Sequence, residues 1–319
     1  MVNKREFSLT SDSKRKTIMS RYAIAIVFFF LGTAAHGWAT PVPVAYYTFS
    51  GNADDIGVNG NDGTIYGAVA GADRNGIAGG ALQFDGVDDY IRVADDPSLD
   101  FTSAFSMATW IKWGGEALHS GGYQRIISKG ADYEYNFESF AVWIDDSAAA
   151  MDENHEYGAV NVRFNAPRNG PTPNRSQIMF DTDLVADQWY HLTVTYDTNV
   201  TRLFLNGIEM TGVLDTAGPD QFVGEIVPSD YDLFIGDAGS EMRDLYGWTE
   251  NRFYNGAIDE LMLFNEVLTA ADVHQLYEAS RPVPEPASAV LLATGCLGLA
   301  AFRRKKAWPP SGPGATAAS

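Results

Sequence analysis

The chain has 319 residues, of which 45% are hydrophobic and 13% aromatic, and this composition indicates a folded protein with a large core, not a disordered one. Its formal net charge is −19, and the stretch from Thr40 to Pro282 is more acidic still, with 12 Lys and Arg against 38 Asp and Glu. A body of that charge repels phosphate backbones, which argues against nucleic-acid binding.

The N-terminal segment has the pattern of an export signal. Basic residues up to Arg21 precede the apolar run 22–31, and small residues follow it as far as Ala39. We therefore predict that residues 1–39 are a signal peptide, with Met19 as an alternative start. An uncleaved membrane anchor and a buried helix are the competing interpretations.

Short runs of β-forming residues, separated by Gly, Asn and Asp, follow from Val44 onward. The run 189–196, "WYHLTVTY", alternates apolar and polar residues, as expected for a half-buried strand. Asn206 and Gly207 lie between two apolar runs and predict a β-hairpin. Many strands and frequent turns predict an all-β fold, a two-sheet antiparallel sandwich over residues 40–282.

One soluble helix is predicted near the end of this domain. Thr269 and Asp272 have the spacing of a capping box, and apolar residues then recur at intervals of three and four. The single cysteine, Cys296, lies in the C-terminal apolar run, so no intrachain disulfide is possible.

Three motifs give the domain a resemblance to a known family. They are "YYTFSGNADDIGVNGNDGT" at 46–64, "FDGVDDYIRV" at 84–93 and "FYNGAIDELMLFNEVLTAADVHQLY" at 253–277. With the runs between them, they resemble the laminin-G-like, concanavalin A-like jelly-roll family of bacterial surface proteins. The resemblance implies an antiparallel jelly roll, often with a structural Ca²⁺, that binds carbohydrate or protein. It does not imply catalysis.

The Asp- and Asn-rich loop that follows the first predicted strand is the candidate calcium site. Ca²⁺ takes about six to eight oxygen ligands, and Asp55, Asn59 and Asp62 offer carboxylate and amide oxygens there. The family resemblance adds Asp259, because the last strand of the family returns beside the first. The alternative is that these side chains cap their own backbone.

Two further groups of polar residues are predicted to be structural. Asp85, Asp88 and Asp89 are expected to hold a tight turn and to face solvent. His191 is expected to be a structural histidine, because no Ser or Cys nucleophile motif lies near it in sequence.

Aromatic residues in loop-like segments are the candidate ligand contacts, because aromatic rings bury the apolar faces of sugars. Trp189 precedes an amphipathic strand and is predicted to lie in the core. The alternative for all of these residues is that they anchor packing. The predicted ligand-binding residues are Tyr133, Tyr157, Tyr246 and Trp248.

The C-terminal segment resembles the bacterial PEP-CTERM sorting signal over residues 283–306. A proline-rich stretch precedes the apolar run 287–302, which is predicted to be a transmembrane helix, and a basic cluster follows on the cytoplasmic side. The resemblance implies processing by an exosortase, and residues 307–319 are expected to be a disordered tail. A plain tail anchor is the alternative. The residues that carry the resemblance are Val283, Pro284, Glu285, Pro286, Arg303 and Arg304.

Three functions remain open from the sequence. The favoured one is an exported, non-catalytic protein of the cell surface or extracellular space, initially held in the inner membrane, that binds carbohydrate or a matrix polymer. The others are a polysaccharide-degrading enzyme, either a lyase or a glycosidase, and a purely structural matrix protein. Hydrolysis is disfavoured, because Glu-x-Asp-x-x-Glu is absent and the neighbours Asp259 and Glu260 would point to opposite faces of a strand.

Overall fold

The computed structural model describes residues 41–117, 122–130, 138–146, 157–165, 175–214, 224–239 and 252–282. These residues contain sixteen strands, one α-helix and a short 3-10 helix at Pro97–Leu99. The strands are β1 (Ala45–Tyr47), β2 (Gly63–Tyr66), β3 (Val69–Ala72), β4 (Ala78–Asp85), β5 (Tyr90–Val93), β6 (Phe105–Trp113), β7 (Tyr123–Gly130), β8 (Glu138–Asp145), β9 (Val160–Asn165), β10 (Arg175–Phe180), β11 (Trp189–Tyr196), β12 (Thr201–Leu205), β13 (Ile208–Glu209), β14 (Gly212–Leu214), β15 (Leu233–Ile235) and β16 (Asn255–Phe264). The helix, α1, is Ala270–Ser280.

The strands form two antiparallel sheets of eight strands each. Sheet A has the order β13-β12-β11-β6-β16-β4-β3, with β1 also paired to β16. Sheet B has the order β14-β10-β9-β8-β7-β15-β5-β2. The predicted all-β, two-sheet antiparallel sandwich is therefore confirmed.

The core lies between the two sheets and has aromatic rings at its centre. The Phe105 ring packs against those of Phe101, Phe140 and Phe164, with centroids 4.6–5.5 Å apart. Phe164 in turn stacks on Tyr196 at 4.5 Å. Phe105 and Tyr196 lie in sheet A and Phe140 and Phe164 in sheet B, so the cluster joins one sheet to the other.

Two local predictions are confirmed by the backbone. Asn206 and Gly207 have positive φ angles of 52° and 77° and connect the paired strands β12 and β13 as a two-residue hairpin loop. Thr269 caps α1, where its side chain accepts a hydrogen bond from the Asp272 N–H and the Asp272 carboxylate accepts one from the Thr269 N–H.

Helix α1 covers the outward face of sheet A. Val273 is buried in a second apolar cluster, separate from the central core, that includes Phe204, Met262 and Leu268. The outward face of sheet B is therefore the face of the sandwich that α1 does not cover.

The predicted terminal segments cannot be compared with the structure. The signal peptide, 1–39, and the sorting signal, 283–306, lie outside the described residues. Among the residues that are described, no helix is both long enough and apolar enough to span a membrane.

Candidate ligand-binding face

The outward face of sheet B carries aromatic and charged side chains. On β8, Phe140, Val142 and Ile144 point into the core, so Trp143 lies on the outward face by alternation. The same alternation on β5 buries Ile91 and places Tyr90 and Arg92 outward. We call this surface the sheet B face. Its members include Thr64, Tyr66, Tyr90, Arg92, Arg125, Trp143, Arg163 and Phe234.

The inner part of the sheet B face is built around Trp143. The guanidinium carbons of Arg125 and Arg163 lie 4.4 Å and 4.9 Å from the centroid of its ring. Glu138 binds both arginines, with an oxygen 2.6 Å from Arg163 Nε and another 3.5 Å from an Arg125 nitrogen. The indole N–H of Trp143 donates to Asp145 Oδ1 at 3.1 Å. Cation–π contacts, ion pairs and the hydrogen bond to Asp145 thus hold the ring, which is only 3% exposed.

The outer part is a pair of stacked tyrosines at the sheet edge. The rings of Tyr66 and Tyr90 have centroids 4.6 Å apart and lie within 9° of parallel. Tyr90 also stacks on Phe253 at 6.4 Å. Because β2 is the last strand of sheet B, the side of Tyr66 turned away from Tyr90 faces solvent, and the residue is 37% exposed. An open aromatic face of this kind can accept a flat apolar surface.

Polar groups lie beside the two tyrosines. Thr64 and Arg92 each lie two residues from one of the rings along the same strand, which is about 7 Å. Arg92 forms an ion pair with Asp232, whose other oxygen accepts from the Asp95 N–H at 2.8 Å. An aromatic platform, a hydroxyl, a guanidinium and a carboxylate therefore lie within the span of one or two sugar rings.

The aromatic residues predicted to bind ligand are placed differently. Tyr157 is half-buried and packs on the core residue Trp113, with ring centroids 5.1 Å apart. The other three predicted contacts, Tyr133, Tyr246 and Trp248, lie outside the described residues. The prediction that Trp189 lies in the core is wrong, because its ring is half-buried and has the Lys112 ammonium 5.7 Å from its centroid.

The loop predicted to bind calcium is organised by Asp55. Its Oδ1 accepts the N–H groups of Tyr46 and Gly57, and its Oδ2 accepts that of Asn61, all within 2.8 Å. Asp62 accepts the N–H of Asp55 at 2.9 Å. The Asn59 side-chain amide donates to the backbone carbonyl of Val44, the residue before β1, at 2.7 Å. These side chains therefore order the loop and join it to β1.

Asp259 belongs to another network. It is buried against Arg74, whose Nη1 lies 2.5 Å from Asp259 Oδ2 and whose Nη2 lies 2.9 Å from Glu260. Burial raises the pKa of Asp259 to about 7, although Arg74 opposes this rise. The partners of Asp55 are therefore backbone N–H groups, whereas the partner of Asp259 is the guanidinium of Arg74.

The expectation that Asp259 and Glu260 point to opposite faces is wrong. The pairing of β16 with β6 shifts register between Asp259 and Met262, and Glu260 has a positive φ angle of 50°. A β-bulge of this kind re-aims a side chain, so both carboxylates reach Arg74.

The structural interpretation of His191 is confirmed. Its ring is buried beside Trp110, with centroids 5.2 Å apart. Burial, with a smaller contribution from Arg74, lowers the pKa of His191 to about 3, so the ring is neutral at physiological pH.

The turn after β4 holds three acids within 4.8 Å of one another. Asp85 Oδ1 accepts the Val87 N–H at 2.8 Å, and Asp89 Oδ2 accepts the Asp85 N–H at 2.9 Å, which confirms the predicted tight turn. Asp89 was expected to face solvent, but it is buried beneath Gly67. A Cβ on Gly67, where φ is +78°, would lie 1.9 Å from Asp89 Oδ1, so this position requires glycine.

Calcium at the 54–62 loop stays a prediction, and chelation tests it. If calcium binds there, EDTA should lower the melting temperature of the wild-type protein, because the ion stabilises only the folded state. Asp55→Ala should remove the effect of EDTA. A wild-type melting curve that EDTA leaves unchanged would contradict the prediction.

Comparison with known proteins identifies related folds. The family model described as the concanavalin A-like lectin/glucanases superfamily matches residues 85–274, which is more than half of the chain. No curated protein sequence is significantly similar to this chain.

Among solved structures, the binding domain of Paraclostridial Mosquitocidal Protein 1 is 12% identical with a TM-score of 0.51, and the match covers 75% of this chain and 52% of that one. The botulinum neurotoxin serotype D ligand-binding domain, in complex with N-acetylneuraminic acid, is 15% identical with a TM-score of 0.50, over 75% and 51%. The chain thus spans about half the length of these toxin domains. At such identities the similarity shows the fold alone.

Proposed function

Because the chain belongs to the concanavalin A-like lectin/glucanase superfamily, we propose that it is a non-catalytic protein that binds an extracellular carbohydrate polymer on its sheet B face. The observation that carries the proposal is the stacked pair Tyr66 and Tyr90, with one ring face open to solvent at the sheet edge. Sugar rings have apolar faces that stack on such platforms, and their hydroxyls need neighbouring polar groups. Thr64, Arg92 and Asp232 supply these groups.

The choice of carbohydrate has one further support. The serotype D toxin domain, which has a similar fold, was solved with N-acetylneuraminic acid. The match covers 51% of that domain, so the parallel is one between related folds, and the residues that form a sugar site are argued separately for each chain.

Binding is favoured over hydrolysis by the environment of the carboxylates near Trp143. A retaining glycosidase needs one carboxyl group free to attack and another, about 5 Å away, free to donate a proton. Here Glu138 is bound to two guanidiniums, and Asp145 accepts the indole N–H. Both carboxylates therefore hold side chains of the sheet B face in place and are not free to act on a substrate.

The proposal includes export to the cell surface. Its support is the pattern of residues 1–39, typical of export signals, and the resemblance of residues 283–306 to a sorting signal that an exosortase processes.

Substitution of Tyr66 tests the proposal on a microarray of neutral and acidic polysaccharides. We expect the wild-type protein to bind at least one polymer, and Tyr66→Ala to bind it about tenfold more weakly, since losing the stacking platform costs about 1.4 kcal/mol. Tyr66→Phe should retain most of the binding. Because Tyr66 is exposed, both variants should have nearly the melting temperature of the wild-type protein.

Ile208→Ala, an exposed apolar residue on another strand, is the matched control and should bind normally. The proposal is wrong if no polysaccharide is retained or if Tyr66→Ala binds as well as the wild type. Release of oligosaccharides from the bound polymer would instead support the enzymatic alternative.

A further inference from the structure

The stacked tyrosine pair lies beside the turn after β4, residues 85–89, which we call the acidic turn. Gly67 follows Tyr66 in the chain, and Asp89 precedes Tyr90. These two neighbours are in close contact, since a Cβ on Gly67 would lie 1.9 Å from Asp89 Oδ1. The acidic turn holds three carboxylates whose nearest oxygens lie within 4.8 Å of one another. A concentrated negative charge therefore adjoins the aromatic platform.

Asp88 is the member of the acidic turn whose carboxylate is available to a ligand. Asp85 and Asp89 serve the turn itself, because each accepts a backbone N–H group within it. Asp88 is exposed, and none of the described residues donates a hydrogen bond to its carboxylate. It lies two residues before Tyr90, so their Cα atoms are at most about 7 Å apart. A group bound against the tyrosines is thus within reach of this charge.

The cations on the neighbouring strands β5 and β7 already have carboxylate partners. Arg92 pairs with Asp232, and Lys129 pairs with Asp95. Lys129 is also fully buried and donates to two backbone carbonyls. Neither cation is therefore available to a carboxylate or sulfate group of an acidic sugar.

The platform and the body both favour a positive charge on the ligand. An aromatic ring attracts an ammonium group to its face, and the open face of Tyr66 is such a surface. Between Thr40 and Pro282 the chain carries 38 acids against 12 bases, so its field attracts cations and repels anionic polymers. The ring face, the acidic turn and the charge of the body thus agree on one sign.

We infer that the polymer bound on the sheet B face is built from amino sugars whose amines are free and protonated. The inference rests on the proposed function and names the class of its ligand. A sugar ring stacks on Tyr66, and an ammonium group of the polymer donates charged hydrogen bonds to Asp88. N-acetylation removes the charge but keeps the ring, so an acetylated polymer retains only the stacking.

Two matched probes test the inference: the glucosamine hexamer and its fully N-acetylated form, which share one backbone and one length. Isothermal titration of the full chain is carried out in EDTA, so that no divalent cation neutralises the acidic turn. We expect the amine form to bind about tenfold more tightly than the acetylated form. Raising the salt from about 50 mM to about 500 mM should remove most of this difference, because salt screens exposed charges.

Variants of Asp88 identify the charge responsible. Asp88→Asn should lower the affinity for the amine form up to about fivefold, and Asp88→Lys should lower it further. Both variants should bind the acetylated form like the wild type. Glu209→Gln is the matched control, since it removes one exposed acid from β13 at the far edge of sheet A. It should bind both probes like the wild type.

The inference is wrong if the two hexamers bind equally, if neither binds, or if Asp88→Asn and Glu209→Gln lose the same affinity. The last result would mean a general attraction to the acidic body. Tyr66→Ala separates these failures from failure of the proposed function. Equal binding of both hexamers that Tyr66→Ala abolishes would refute only the choice of amino sugars. Undiminished binding of the amine form by Tyr66→Ala would overturn both proposals.

Discussion

Replacing Arg74 with methionine is expected to lower the free energy of unfolding by about 3–5 kcal/mol, because it leaves a buried carboxylate without its cation. The side chains of Arg74 and Asp259 are only 7% and 2% exposed. Arg74 also donates from Nε to the Ser280 carbonyl at 2.6 Å and lies 5.2 Å from the Trp110 ring centroid. Chemical denaturation at pH 8, where Asp259 is ionised in the wild type, measures the loss.

The loss should depend on pH in a defined direction. Burial raises the pKa of Asp259 to about 7, above its value in the unfolded chain, so the stability associated with this group is present at low pH and declines as pH rises through 7. Arg74 limits that rise. Without it, ionising Asp259 costs more, and the difference between Arg74→Met and the wild type should be larger at pH 8 than at pH 5.

Arg202→Met is the matched control. Arg202 also contacts two carboxylates, those of Asp197 and Glu209, each at 3.4 Å, but its side chain is 36% exposed. Exposed ion pairs of this kind contribute about 0–1 kcal/mol. Equal and small losses in the two variants would contradict the role assigned to Arg74.

Asp55→Ala is expected to cost about 3 kcal/mol or more, even in the presence of EDTA. The substitution leaves three backbone N–H groups, those of Tyr46, Gly57 and Asn61, without their charged acceptor. Each hydrogen bond to a charged group is worth about 1.5–3 kcal/mol, and the three contributions are not additive. Urea unfolding in calcium-free buffer gives the value.

Asp54→Ala is the control for this substitution, since Asp54 is exposed and accepts one hydrogen bond, from Asn52. We expect it to stay within about 0.5 kcal/mol of the wild type, as most surface substitutions do. If Asp55→Ala were destabilising only when calcium is present, the carboxylate would be a metal ligand and not the acceptor that orders the loop.

Features encoded by residues close together in the sequence could be predicted. The hairpin at Asn206 and Gly207 follows from the positive φ angles that these residue types tolerate, and the cap at Thr269 follows from its spacing to Asp272. Many short β-forming runs separated by turn residues were enough to indicate a sandwich. Each of these patterns acts over a few residues, so no knowledge of strand order was needed.

Contacts between distant residues could not be predicted in the same way. The ion pair of Arg74 with Asp259 joins residues 185 positions apart, and the bulge that brings Glu260 to the same guanidinium has no clear signature in the sequence. Tyr66 and Tyr90 were missed because their stacking depends on β2 pairing with β5. The alternation in "YIRV", 90–93, was a usable signal, since it places Tyr90 and Arg92 on the face opposite Ile91.

The end of helix α1 determines how the domain responds to mechanical load. The Ser280 carbonyl is held by Arg74, and its hydroxyl accepts the Trp110 indole N–H at 2.9 Å. Tension applied to the chain beyond Pro282 therefore reaches β6 and β16, which lie in the middle of sheet A, before it can peel the helix away. A tethered copy of this domain would resist pulling from its C-terminal side through contacts between residues 206 and 170 positions apart in sequence.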